Sequence, residues 1–248
     1  MQLSYAYLKR ELHGMKSQFN KTNAEVEFAR YTWNPVTGCP HNCHYCYAKP
    51  IAESIYKEGF ALTFRKERLQ APFNTPKPRN KTIWHKLVFV TSMGDLFAEA
   101  VPAQWIKAVL NVVYQTPQWI YLFLTKNPER LLDFKFTDNC WVGTTVDVQR
   151  RVETAQQVFR RLNAKVKFVC CEPLLQKVAF DTMQDINWMI IGAQTQTMTC
   201  PEIQPKWSWM ASLLAQAHQY QIPIFWKENL TVRPKQLPVT IHSQQTLF

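Results

Sequence analysis

The stretch GCPHNCHYCYAKP, residues 38–50, places three cysteines in eight positions: Cys39, Cys43 and Cys46. Three thiols cannot all pair with one another. Seven cysteines in the chain is an odd number, and crowding of this kind points to metal or redox chemistry rather than a disulfide framework. A structural zinc ion wants four protein ligands in a tetrahedron. His41 and His44 lie inside the loop and could supply the fourth, but His44 adjoins Cys43, which makes joint chelation awkward. No second cysteine pair follows at zinc-finger spacing. An iron–sulfur cluster fits better. Thiolates hold such clusters, one per iron in a four-iron cubane. Three on one loop leave one iron open to a ligand, by the logic that gives catalytic zinc its open position.

The elements that must position this loop are short apolar runs alternating with helix-patterned segments. The runs FARYTW (28–33), KLVFVTS (86–92), QWIYLFLT (118–125), CWVGTTV (140–146), KVKFVCC (165–171), INWMIIGA (186–193) and IPIFW (222–226) read as strands. The segments 47–60, 102–115, 127–134, 147–163 and 206–220 carry apolar residues at helical spacing. Pro102 suits a first helical turn, and Asp147 is placed to cap the helix that follows it. The Pro-rich, basic stretch 61–85 reads as a long connection. Runs apolar on both faces are what parallel strands covered by helices require. The expected fold class is α/β, a full or partial (β/α) TIM-type barrel of about six to seven parallel strands, with an open doubly wound sheet as the alternative. Residues 29–230 would form this domain, with an N-terminal extension at 1–28 and a C-terminal tail at 231–248.

In such folds chemistry collects at the C-terminal ends of the strands. Those positions hold, in order, the cysteine loop, SMGD (92–95), TK (125–126), TTVD (144–147), CEP (171–173), GAQTQ (192–196) and KEN (227–229). A fold needs no such polar decoration for stability, so the rim is expected to be a site. Glu172 stands out, because a carboxylate at a barrel mouth is costly unless paired or functional. Proton transfer and substrate anchoring are both open to it. Cys171 precedes it and Cys170 alternates to the other face. A thiol near a radical could donate hydrogen, whereas a buried free cysteine commonly fills core.

The Cys-x3-Cys-x2-Cys spacing, with Tyr45 before the last cysteine, resembles the signature of the radical S-adenosylmethionine (SAM) superfamily. The motifs TWNPVTGCPHNCHYCYA, VTSMGDLF, LTKNPERL and VCCEPLL resemble, in order and spacing, a phage- and prophage-associated family within it. The similarity runs from about Tyr31 to Lys227. The resemblance implies a (β/α) barrel in which Cys39, Cys43 and Cys46 hold a [4Fe–4S] cluster. Its open iron would bind SAM, and one electron would cleave SAM to methionine and a hydrogen-abstracting 5′-deoxyadenosyl radical. It further implies that Tyr45 lies beside the adenine, and that Ser92, Met93, Gly94 and Asp95 take the place of the Gly-Gly-Glu motif that meets the SAM amine. Thr144 and Thr145 would meet the ribose, Lys126 the SAM carboxylate or a substrate anion, and Asp147 the substrate if it does not cap a helix. GAQTQ departs from the family's glycine-rich pattern at the sixth strand. An electron donor of flavodoxin or ferredoxin type is implied.

The chain has 248 residues, with 29 Lys+Arg against 18 Asp+Glu. Residues 1–90 hold 14 basic and 6 acidic residues, +8 of the net +11. Such an excess favours polyanionic partners, unless it is only a solvated basic surface. Arg65, Lys66, Arg68, Lys77, Arg79 and Lys81 interleave with Phe64, Phe73 and Trp84, a combination that can bind a nucleic-acid strand. No apolar run is long enough to span a bilayer and the N-terminus lacks a signal-peptide core, so a cytoplasmic protein without a membrane partner is expected. The favoured function is a radical-SAM enzyme acting on a nucleic-acid base or nucleotide. The alternatives are such an enzyme acting on a protein or small metabolite, and a non-catalytic, metal-stabilised nucleic-acid-binding protein.

Overall fold

The computed structural model describes residues 17–22, 26–79, 82–197 and 200–232. Among the described residues ten strands run in chain order: β1 Asn20–Lys21, β2 Tyr31–Trp33, β3 Val36–Thr37, β4 Thr63–Phe64, β5 Leu87–Val90, β6 Ile120–Thr125, β7 Cys140–Thr145, β8 Val166–Cys171, β9 Trp188–Ile191 and β10 Ile224–Trp226. The α-helices are α1 Ala48–Ile55, α2 Ala71–Asn74, α3 Ala103–Gln115, α4 Val152–Arg161 and α5 Trp207–Gln219. One sheet takes the order β1-β2-β5-β6-β7-β8-β9-β10, and β3 pairs with β4 apart from it. β1 is antiparallel to β2, while the other seven strands are all parallel.

The parallel strands neighbour one another in strict sequence order. A doubly wound sheet reverses its order part-way, so that alternative falls. The winding is that of a (β/α) barrel, with no strand pairing to close it among the described residues. The segment before β2 reaches across to the β10 edge instead. Arg30 donates its N–H to Leu87 O on β5, and Glu27 accepts from the Glu228 N–H, 2.8 Å away and just beyond β10.

Side chains alternate across the strands and build two cores. On the outer face Val88, Tyr121, Val142, Val169 and Ile191 meet Ile106 and Val109 of α3, Ala155 and Phe159 of α4, and Leu213 of α5. On the inner face Phe89, Leu122, Trp141, Phe168 and Trp188 pack together with Val26 and Phe28. This inner core is a floor of aromatic rings. Trp141 and Trp188 meet edge to face at 5.6 Å, and Phe28 and Phe89 at 5.1 Å, the geometry that ring quadrupoles favour.

Several elements depart from the sequence expectation. The first strand was expected over 28–33 but spans Tyr31–Trp33, because Phe28 and Ala29 turn into the inner core. The helix expected over 47–60 ends at Ile55, ahead of a turn in which Gly59 takes φ +61°. The segment 127–134 is a 3-10 helix, Pro128–Asp133. The stretch 61–85 is more than a connection, since it supplies β4, a 3-10 turn at Lys66–Gln70 and α2. Asp147 does not cap α4, whose first turn is entered through a 3-10 turn at Gln149–Arg151. Residues 17–22 contribute β1, and Phe19 packs against Trp119 at 5.1 Å. Residues 1–16 and 23–25 of the extension, Lys81 and nearly all of the tail lie outside the described residues.

No described helix is long and apolar enough to cross a membrane.

The inner floor leaves no slack at Gly143 of β7. A Cβ there would stand 2.6 Å from the ring of Phe168, which is fully buried. Overpacking of this kind costs about 1–3 kcal/mol, and for a chain of this size each kcal/mol lowers the melting temperature by about 2–4 °C. Gly143→Ala should therefore melt several degrees lower in calorimetry. An unchanged melting point would show that the floor is looser than this packing implies.

Candidate functional site

The mouth of the barrel holds a cavity of about 1030 Å³, counted with its open side. Cys39, Cys43 and Cys46 line one end of it with His41, Tyr45, Ser92, Gly94, Asp95 and Lys126. Cys170, Glu172, Ala193 and Gln194 line another part of the wall.

The cysteine loop is docked to the turn after β5 by backbone. Gly38 donates to Met93 O at 2.9 Å and bridges to Gly94. Gly38 takes φ +86°, and a Cβ on Gly94 would stand 2.5 Å from Gly38 O. Only glycine serves at such a crossing. Asn34, 5% exposed, accepts from the Met93 N–H at 2.9 Å and the Ser92 hydroxyl at 3.2 Å. The Tyr47 hydroxyl donates to Ser92 O at 2.7 Å.

Asp95 is the hub. Its Oδ2 accepts from the Thr125 hydroxyl and the Lys126 N–H, both at 2.9 Å, and lies 2.8 Å from His41 Nε2; its Oδ1 accepts from the Phe97 N–H at 2.9 Å. One buried carboxylate thereby joins the loop to the end of β6. With its backbone fixed, Lys126 directs its ammonium to Cys43 Sγ at 3.1 Å and over the Tyr45 ring at 4.6 Å. The Tyr45 hydroxyl donates to Asp147 Oδ2, whose Oδ1 accepts from Arg151 Nε at 2.7 Å. Burial, and then the Asp147 carboxylate, push the Tyr45 phenol above its usual range, so it is a neutral donor. Asp147 is thus anchored by Tyr45 and Arg151 and does not line the main cavity.

Burial, with Asp95 and the other two cysteines beside it, pushes the Cys39 thiol up to about 12. Thiolates gathered here need a compensating positive charge, which a metal centre supplies. Among the described residues no three His, Cys, Asp or Glu side chains stand close enough to hold one ion. The three thiols share a cavity end without converging on a point. A cluster of four irons takes one thiolate per iron, so its ligands sit at separate corners and need no such convergence.

The other expected residues divide. Thr145 lines the main cavity, whereas Thr144 donates to Thr125 O and lines a smaller one shared with Arg150 and Arg151. Met93 packs under the loop against Ala48 and Ala52 rather than lining the cavity. Cys170 faces the cavity, and Cys171 points into the outer core. Glu172 pairs with Lys227, which is 1% exposed. Burial pulls the Lys227 ammonium down, but Glu172 and then Glu27 outweigh it, and the net direction is up. Thr91 was not anticipated. It is β-branched yet takes φ +60°, and its buried hydroxyl finds no partner. Such a conformation costs about 1–3 kcal/mol and clusters at functional sites.

The basic, aromatic stretch is largely engaged within the fold. Arg65 pairs with Glu58 and covers the Tyr56 ring, Arg68 donates to Asn34 O, and Phe64 stacks on Trp105 at 5.1 Å. Lys66, Lys77 and Arg79 remain exposed.

A family model described as a protein of unknown function, DUF5131, matches residues 23–244. The chain belongs to this family. No curated protein matches it. Among solved structures, the DUF5131 chain is similar to a spore photoproduct lyase double mutant with bound AdoMet and dinucleoside spore photoproduct, at TM-score 0.52 and 13% identity. The alignment covers 84% of this chain and 55% of that one, so the chain spans about half the length of its structural relative. At this identity the likeness shows the fold, a (β/α) arrangement of parallel strands.

Truncating the hub tests the geometry. Asp95→Ala strands the Lys126 N–H and the Thr125 hydroxyl, each an uncompensated buried donor worth about 1–3 kcal/mol. The variant should melt markedly lower than wild type, and its three loop thiols should alkylate faster. Unaltered alkylation rates would mean that the loop does not depend on Asp95.

Proposed function

We propose that this DUF5131 chain is a radical-SAM enzyme. The observation that carries the reading is the gathering of Cys39, Cys43 and Cys46 at one end of a single cavity, with the Ser92–Asp95 turn and the Lys126 ammonium beside them. Cys39, Cys43 and Cys46 would hold a [4Fe–4S] cluster, and SAM would occupy the adjoining space. When bound, this pair supplies one-electron reductive cleavage of SAM and the hydrogen-abstracting power that follows. The likeness of four sequence motifs to a phage- and prophage-associated radical-SAM family supports the reading, and a protein of the same fold holds AdoMet.

The chain's own residues then have separate tasks. Lys126 places positive charge against Cys43 and offers its ammonium to an anionic group of the ligand. Ser92 and Gly94 form the wall next to the cysteines, and Thr145 lies further along it. Asp95 already accepts four contacts, so it holds the loop and the strand end in register rather than serving as a free acceptor. Asp147 keeps Tyr45 in place. Glu172 remains for the substrate. A nucleic-acid base or nucleotide is the proposed substrate class, with a flavodoxin- or ferredoxin-like protein as electron donor.

Anaerobic reconstitution with iron and sulfide, followed by reductant and SAM, tests this directly. Wild type should yield 5′-deoxyadenosine by mass spectrometry, and Cys39→Ala/Cys43→Ala/Cys46→Ala should yield none and carry no iron. Stoichiometric zinc without a cluster in the wild type would replace the enzyme reading with that of a metal-stabilised binding protein.

A further inference from the structure

The cavity wall away from the cysteine loop has a composition of its own. Cys170, Glu172, Ala193 and Gln194 form it at the ends of β8 and β9, and the rings of Phe28 and Phe89 line the same cavity. Gly192 makes room for this wall. A Cβ there would stand 3.0 Å from the Glu172 carboxyl carbon and 3.1 Å from Lys227 Cδ. Lys227 holds Glu172 as a carboxylate, since a buried ammonium against it favours the charged pair.

Gln194 is 2% exposed and held by three hydrogen bonds. Its backbone exchanges two hydrogen bonds with Ile203, at 3.0 and 3.1 Å, and its Nε2 donates to Pro201 O at 2.7 Å. That bond fixes which way the amide faces. The remaining oxygen, Oε1, is buried and has no partner. A buried acceptor left unmade costs about 1–3 kcal/mol, and one held this rigidly is set to receive a donor from a ligand. The wall therefore offers a carboxylate and an amide oxygen, both acceptors, in a cavity that apolar rings also line.

The complement is a planar ring whose edge carries N–H donors. Among the nucleobases, guanine alone sets a ring N–H next to an exocyclic amine, two parallel donors of the kind a carboxylate accepts as a pair. Adenine and cytosine place an acceptor nitrogen beside the amine. Uracil flanks its one N–H with carbonyls that would oppose the carboxylate. Enzymes acting on a base read it by this edge and stack it on apolar side chains. We propose that Glu172 and Gln194 form the substrate pocket, and that it selects a base with the donor edge of guanine. This deepens the enzyme reading above and rests on its assignment of a nucleobase as substrate.

Calorimetric titration of the reconstituted full chain with GMP and with IMP, which lacks only the 2-amine, tests the proposal. GMP should bind at least about tenfold more tightly, because a site built to hydrogen-bond an N–H rejects the analogue lacking it. Gln194→Leu and Glu172→Gln should bring the two nucleotides to nearly equal affinity. A merely structural role would weaken both together and preserve their ratio, and that outcome would overturn the assignment. Gln194→Leu carries the test if Glu172→Gln, which disturbs a buried ion pair, fails to fold. SAM cleavage with no preference for GMP, or with neither nucleotide bound, would overturn the pocket and leave the enzyme standing. A GMP preference without SAM cleavage would support the pocket and overturn the enzyme.

Discussion

A carboxylate that is 5% exposed survives only where donors from its surroundings satisfy it, and Asp95 draws its donors from three places. His41 belongs to the cysteine loop, Thr125 and Lys126 to the end of β6, and Phe97 to the segment after β5. Without that convergence the loop would be held to the barrel chiefly through the backbone crossing at Gly38 and Gly94. With it, the Lys126 backbone is pinned and its ammonium reaches Cys43. The chain of dependence continues outward, as Thr144 donates to Thr125 O and the Arg151 guanidinium to Lys126 O. One desolvated charge thus sets the relative positions of the ends of β5, β6 and β7.

The same economy of charge shapes the opposite wall. Lys227 is among the most buried side chains of the molecule, and it is tolerable because Glu172 and Glu27 flank it. Removing one partner of such a pair typically costs about 3–5 kcal/mol. Glu27 does double duty, since it also accepts from Glu228 and so ties the segment before β2 to the chain beyond β10. Where strand pairing does not close the barrel, an ion pair and a backbone contact bring its edges into register. The aromatic floor beneath this pair lowers the local polarity, which strengthens the electrostatic contacts above it.

Much of this was legible beforehand. Parallel strands buried on both faces announce themselves as continuous apolar runs, and their C-terminal ends name the rim. Every rim motif read in this way lies at the mouth of a strand. The elements that escaped are those without a pattern to read. β1, β3 and β4 are two residues each, too short for any period. Runs apolar on both faces also hide their parity. Nothing local says whether Cys170 or Cys171 points inward, and Phe168, two residues earlier and packed into the inner floor, decides it for Cys170. Asn34 and Thr91 were not singled out, and Gln194 was read only as part of the rim motif GAQTQ, because their roles rest on partners far along the chain, or on the lack of one.

Net charge was the least informative signal, for a physical reason. A basic side chain counts the same in composition whether water or the protein solvates it. Arg130 donates to the carbonyls of Ala98, Glu99 and Val101, and Arg65 and Arg68 brace the turns around Tyr56. These guanidiniums spend their donors within the fold, which composition does not show. The positive groups that bear on the site are few and local: Lys126 at the cysteine end, Lys227 against Glu172, and Arg150 and Arg151 around the smaller cavity that shares Lys126 and Thr145 with the large one. Field strength at a site follows distance and burial. Four cations at a barrel mouth therefore outweigh a larger excess spread over the first third of the chain.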